Sequence, residues 1–346
     1  MYVTLLFVIV LIVVVLAFFE DERIQAQEWL LFTIAIVLTM YVAFRPEGID
    51  NDYYGYLKYY ENPNDEMVLM LEPTFKLISA FARYCRESLI LFLVYALFAV
   101  PLKVYSIKRL SPYWYLSILV WLTHLFLLQD MTQIRVAVSS AFFLFSLPFL
   151  ADGKKKRFLL CIIMAILFHF SSLVLLPLIF LGNKRLSSIW KFILWALPIS
   201  MYVFPFLSIE LLFMLPIPFI QEKLELYKMI MEGGLWDELN TLNVMALARL
   251  FAYYMLLWKY EYLIEKYSYI SLLLKIFCYS ICVYVGFSFL PVLATRAEEL
   301  IAVIDCILFP LLAVLIRPHW LGRLLVIVYA IVALGLYIYV YTLLKI

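Results

Sequence analysis

An all-α, polytopic integral membrane protein with about 10–12 transmembrane helices is the fold class this sequence predicts. Apolar segments of bilayer length recur from end to end, and hydrophobic residues make up 66% of the chain against 15% charged. Mean hydropathy is +0.99. Soluble domains are about half apolar and a quarter charged, and no stretch here is long and polar enough to form one. A hydrocarbon core of about 30 Å takes roughly 20 apolar residues as helix. Lipid leaves no partner for an open strand edge, so helix is the default.

The candidate spans are 2–19, 28–44, 88–104, 113–128, 133–150, 158–181, 190–212, 244–263, 269–290, 298–316 and 324–345. The first has no basic segment before it and no small-residue cleavage site after it, so it reads as a retained span. Residues 45–87 interrupt the hydrocarbon with eight acids (Glu47, Asp50, Asp52, Glu61, Asp65, Glu66, Glu72, Glu87) against five bases. The loops carrying Lys103, Lys108 and Arg109, then Lys154 to Arg157, then Arg317 and Arg323, are basic. The positive-inside rule places those loops in the cytoplasm and the acidic loop outside. DGKKKR and GNKRLSSIWK are equally basic on either side of 158–181, which favours a re-entrant hairpin broken at FHFSS over a simple span. Residues 67–84 and 218–243 alternate apolar and charged positions at helical spacing and read as amphipathic helices on the bilayer surface. The expected organisation is one transmembrane domain, 1–346, with an outer loop at 45–87 and a second outer segment at 218–243.

Ionisable residues at membrane depth or at span ends are costly, which makes them the candidates for chemistry. Near the expected outer face are Arg45, Asp50, Asp52, Glu72, Asp130, Arg135, Arg249, Arg296, Glu298 and Glu299; deeper are His124, His169, Glu210 and Asp305. A planar guanidinium forks onto phosphate oxygens, so these arginines make a lipid diphosphate a candidate ligand. Snorkelling to headgroups, or pairing with a neighbouring acid, is the simpler reading of Arg45 and Arg296. Tyr53, Tyr54 and Tyr56 fit either an interfacial aromatic belt or a sugar-stacking face. No H-E-x-x-H, G-x-S-x-G, P-loop or dinucleotide motif occurs, and the five cysteines lack ligand spacing. No cofactor, metal, disulfide or nucleic-acid partner is expected.

Four ordered motifs carry a resemblance: R-P-x-G-x-D-x-D-x-Y (Arg45 to Tyr54), L-E-P-x-F (Leu71 to Phe75), Q-I-R-x-A (Gln133 to Ala137) and F-H-x-S-x-L-x-L-L-P (Phe168 to Pro177). In this order the chain resembles the EpsG family of Wzy-type polysaccharide polymerases. The resemblance implies a GT-C-like helical glycosyltransferase of the bacterial inner membrane. Such an enzyme joins undecaprenyl-diphosphate-linked oligosaccharide units on the periplasmic side and releases undecaprenyl diphosphate. Membrane lipids, a flippase and a chain-length regulator are its expected partners. The chemistry needs a base for the acceptor hydroxyl and cations for the leaving diphosphate. Asp52 or Asp50, with Glu72 behind them, are the candidate bases, and His169 is either a donor to the diphosphate or the base itself. Arg135 and Arg296, supported by Arg45 and Arg249, are the candidate diphosphate clamps, with Tyr53, Tyr54 and Tyr56 for sugar. A lipid-linked oligosaccharide transporter and a membrane O-acyltransferase centred on His169 are the alternatives.

Overall fold

The structure, a computed structural model, describes residues 2–21, 25, 27–203, 221, 225, 229 and 239–344. Glu210 and most of the expected amphipathic helix at 218–243 lie outside the described residues. In chain order the helices are α1 (Tyr2–Phe18), α2 (Glu28–Ala43), α3 (Tyr53–Glu61), α4 (Glu66–Leu69), α5 (Pro73–Tyr84), α6 (Leu89–Leu110) and α7 (Trp114–Thr123). A π-helical turn (Phe126–Thr132) leads into α8 (Ile134–Ala151), then α9 (Lys155–Phe168), a 3-10 segment (Phe170–Phe180) and α10 (Ser188–Val203). After the gap come α11 (Val244–Trp258), α12 (Tyr260–Ile264), α13 (Ile270–Gly286), α14 (Pro291–Ile301), α15 (Asp305–Leu315) and α16 (His319–Gly335), which a second π turn (Leu336–Val340) extends.

Among the described residues there is no strand, only an isolated bridge between Asp50 and Leu344. Leu89–Leu110, Ile134–Ala151 and His319–Val340 are long and apolar enough to cross a membrane, and α7 with its π turn makes a fourth when the bent pair is counted as one. Several shorter apolar helices, such as Tyr2–Phe18 and Ile270–Gly286, coincide with the remaining predicted spans. The chain is an all-α membrane protein.

The chain forms two compact units, Met1–Ile179 with Val303–Ile346, and Phe180–Ala302. In the first, α7 is the buried axis, packed by α1, α15 and α16. Every residue from Tyr115 to Thr123 is buried, which is why this helix is apolar on all sides. α6 packs between α2 and α8, and α9 lies on α8 and α5. α15 and α16 approach so closely that a Cβ at Gly322 would run into the Ala313 backbone, the small-residue contact by which membrane helices pack. In the second unit α13 is the centre, covered by α10, α11, α12 and α14. Tyr253 there donates to the Leu194 carbonyl at 2.7 Å and Tyr260 meets Ser271 at 2.8 Å, so its buried hydroxyls are paired.

Local chemistry explains the ends of these elements. Asp65 caps α4 by accepting from the Met67 amide, and Asn243 caps α11 by accepting from Ala246. α5 starts with Pro73, whose missing N–H costs nothing in a first turn. α7 turns by 67° into the π turn around His124. Glu20, beyond the end of α1, accepts from the Tyr115 and Leu116 amides at 3.1 and 3.2 Å, satisfying orphan donors at the start of α7.

Candidate functional site

The acidic loop enters from α2 through Arg45-Pro46-Glu47-Gly48. The Ile49 amide donates to the Pro46 carbonyl at 3.3 Å, and Gly48 in third position has φ +66°. Only glycine takes that conformation without cost, and the Tyr54 ring leaves no room for a Cβ. The turn directs Arg45 inward: it is 5% exposed, with Nε 3.1 Å from Asp50 Oδ2 and its guanidinium carbon 4.2 Å from the centre of the Phe92 ring. Asp50 is fully buried and also accepts from the Asp52 amide at 3.0 Å. Burial pushes its carboxyl up from the ordinary value, against the pull of Arg45 and that amide. The loop is further tied by Asn51 donating to the Thr342 carbonyl.

Asp50 is thus enclosed in an ion pair, whereas Asp52, the residue before α3, stays half-buried. α3 turns Tyr53 and Tyr56 into the core, where Tyr53 stacks on Phe92 at 4.9 Å and Tyr56 lies against Phe75 at 6.0 Å. Of the three tyrosines expected to face sugar, Tyr54 alone is exposed. Helical spacing is the reason, since positions three apart share one face and that face is needed to cover the core.

Three predicted residues that are far apart in sequence meet at Glu72. This residue precedes Pro73 at the start of α5 and is 2% exposed. Its Oε2 accepts from Arg135 Nη1 at 2.5 Å, its Oε1 lies 3.0 Å from His169 Nδ1, and the Phe170 amide donates to the same oxygen at 3.1 Å. Arg135 comes from the first turn of α8, and His169 from the extended residue where α9 stops (φ −156°, ψ 117°). The break predicted at FHFSS is therefore what frees His169 and the Phe170 amide to reach the carboxylate. Burial alone would raise the Glu72 carboxyl, but the His169 hydrogen bond and the Arg135 charge outweigh it and hold it at about 2. An ionised carboxylate only accepts, so Nδ1 of His169 carries a proton directed at Glu72. The Arg135 and His169 side chains keep 20% and 14% exposure, so this cluster reaches an edge of the fold.

Lys103 corrects the sequence reading, and Asp130 is its partner. Lys103, counted with a basic loop, lies inside α6 and is 0% exposed; Asp130, expected near the outer face, is 1% exposed. Lys103 Nζ is 2.8 Å from Asp130 Oδ2 and 3.1 Å from Gln129 Oε1, and the Trp121 indole donates to Asp130 at 3.1 Å. α6 runs to Leu110, so a charge that looked like the end of a span sits within it, paired across the bend.

In the second unit Arg249, 5% exposed, pairs with Glu298 and donates to Ser280 at 3.0 Å. Arg296 is half-buried on α14. Sequence reading named Arg249, Arg296 and Glu298 but not the pairing, and it missed Glu20 as the cap of α7 and Gln129 as the partner of Lys103. The signal for Glu20 was a lone acid ending an apolar run.

No curated protein and no solved structure matches the chain. The model of one family does, over residues 28–345, nearly the whole length. That match takes in all four ordered motifs and the residues gathered at Glu72, and by it the chain belongs to the EpsG family of Wzy-like polysaccharide polymerases.

Proposed function

We propose that this chain is a glycosyltransferase that joins oligosaccharide units carried on undecaprenyl diphosphate, working at the outer face of the bacterial plasma membrane. The observation that carries the reading is the Glu72, Arg135 and His169 cluster, in which one carboxylate orients a histidine and an arginine at a partly exposed edge. Family membership supports the polymerase class.

The growing chain, held by its lipid diphosphate, is attacked at its first anomeric carbon by a hydroxyl of the incoming unit. As the new C–O bond forms, the hydroxyl proton passes to His169 Nε2, while Glu72 keeps Nδ1 protonated and stabilises the ring that becomes cationic. The bond from the anomeric carbon to the diphosphate oxygen breaks, and the electron pair leaves with undecaprenyl diphosphate. Arg135, whose Nη1 is committed to Glu72, offers the rest of its fork to that growing negative charge. Tyr54 and Asp52, from the same unit, are the sugar-side residues of this reading. A GT-C-like scaffold, a flippase that supplies the substrate and a chain-length regulator belong to the same proposal.

The test is incubation of the purified full chain with a chemically defined lipid-linked repeat unit, followed by gel separation. A ladder of multiples from wild type, and none from His169→Asn at equal protein, is the expected result. A ladder undiminished in His169→Asn but lost in Asp52→Asn would transfer the base to Asp52. No ladder from wild type would end the polymerase reading.

A further inference from the structure

α8 carries Arg135 in its first turn and ends at Ala151, about 24 Å further on at 1.5 Å per residue, most of the way across a hydrocarbon core of about 30 Å. α9 runs back from Lys155 to His169, which rejoins the Glu72 cluster. The turn between α8 and α9 therefore meets the bilayer surface opposite that cluster, the one the positive-inside rule assigns to the cytoplasm. α6 ends on the same face, since its Arg109 reaches Phe149 of α8.

These helix ends bring together six cations: Lys108, Arg109, Lys154, Lys155, Lys156 and Arg157. Lys108 is neutralised by Glu28 at 2.6 Å and Lys154 by Asp152 at 2.8 Å, with Arg109 also near Asp152. Arg109, Lys155, Lys156 and Arg157 are exposed and make no ion pair among the described residues. Two of these four are held in place. The guanidinium carbons of Arg109 and Arg157 lie 5.5 and 6.0 Å from the centre of one ring, that of Phe149. A ring contact orients a guanidinium through its face and leaves the N–H edge for another partner.

Deeper in the membrane the same surface turns apolar and aromatic. Phe145, one turn before Phe149 on α8, meets it edge-on at 5.4 Å, and Tyr105, one turn before Arg109 on α6, lies 5.9 Å from Phe145. Tyr105 is exposed and both phenylalanines are half-buried. Because α8 packs on both α6 and α9, its two rings lie between the arginine of one neighbour and that of the other.

We propose that this face holds an anionic phospholipid, with its phosphate at Arg109 and Arg157 and an acyl chain along Phe149, Phe145 and Tyr105. The site is independent of the polymerase reading. Guanidinium edges suit phosphate oxygens, and basic residues beside a span attract the anionic lipids of the cytoplasmic leaflet. The cations and the rings touch, so one molecule with a charged head and an apolar tail meets both. An acidic protein would reach the cations and leave the rings uncovered; a neutral lipid would do the reverse.

The experiment uses the full chain in phosphatidylcholine nanodiscs that contain a minor share of phosphatidylglycerol with a diazirine in one acyl chain, and labelled peptides are mapped by mass spectrometry. Labelling should concentrate on residues 105–109 and 145–149. Unlabelled phosphatidylglycerol should compete it away, and further phosphatidylcholine should not. Arg109→Gln with Arg157→Gln, both at exposed positions, should reduce that labelling about tenfold. Phe149→Leu keeps every charge and should still reduce it several-fold, which a diffuse basic field would not do. Equal labelling by a phosphatidylcholine probe, or unchanged labelling in the double variant at equal protein, would overturn the proposal. Displacement of the probe by soluble polyglutamate at physiological ionic strength would overturn it too, and give the face to an acidic protein. Labelling here without a polymer ladder keeps the lipid site and ends the polymerase reading; a ladder without labelling here does the reverse.

Discussion

Two carboxylates of the first unit each hold a cation, and the surroundings of the two pairs are opposite. Asp130 and Lys103 are closed in on every side, at 1% and 0% exposure. Glu72 is as buried as Asp130, yet its partners Arg135 and His169 keep 20% and 14% side-chain exposure. A pair whose every member is enclosed offers no accessible face to a ligand. A buried anion whose cations reach an edge holds those cations for something else. Burial therefore does not by itself mark chemistry here, since Glu72 and Asp130 are equally buried.

The largest contrast is expected in function. His169→Asn or Arg135→Ala should lower polymerisation by on the order of 10²–10⁴-fold, the worth of a general base or of one electrostatic donor. Arg135→Ala also leaves the buried Glu72 carboxylate without its main cation, so both losses are read per folded molecule. Arg135→Lys should fail nearly as badly, because a lysine keeps the charge and loses the fork. Near-normal polymer from Arg135→Lys at equal protein would reduce this residue to a headgroup anchor.

Next comes the enclosed pair. Lys103→Met leaves Asp130 charged and buried, and should cost about 3–5 kcal/mol, read as a fall in thermal midpoint in detergent. The double variant Lys103→Met with Asp130→Leu should recover most of that loss, since a packed apolar pair replaces an ion pair at little cost. A double variant as unstable as the single one would mean that the pair fixes the bend after α7 by more than its charge. Gly322→Ala should cost about 1–3 kcal/mol through forced separation of α15 and α16, with activity per folded molecule retained.

The last contrast is that of pH. Glu72 sits at about 2 in the fold against an ordinary 4.5. A carboxyl lowered by folding contributes stability that is complete above the ordinary value and is lost as pH falls through the folded one. The thermal midpoint should therefore hold from neutrality to about pH 4.5 and decline toward about pH 2. Glu72→Gln should flatten that decline. An identical titration of wild type and Glu72→Gln would take the carboxylate out of the cluster.

How much of this was legible follows the range of the forces. A span depends on a short local rule, a run of apolar residues long enough for the hydrocarbon, so α1 at Tyr2–Phe18 and α2 at Glu28–Ala43 fall on predicted segments almost residue for residue. The break at FHFSS was visible because polar groups halfway along such a run disturb the helix there. Lys103 was misread because the same rule treats a charge as a boundary, while a partner 27 residues away allows the helix to continue past it.

By itself, the sequence determined that this is an all-α membrane protein, that its polar residues crowd into 45–87 and a few span ends, and, by four ordered motifs, its family. Tertiary structure alone decided which of those residues meet. Glu72 lies 63 residues from Arg135 and 97 from His169, and no periodicity connects them. Packing also decided that Tyr53 and Tyr56 cover the core while Tyr54 does not, and that Asp50 is enclosed while Asp52 is not. The physical reason is that burial of backbone and apolar surface is specified residue by residue along the chain. The pairing of one charge with another depends on where whole helices come to rest against each other.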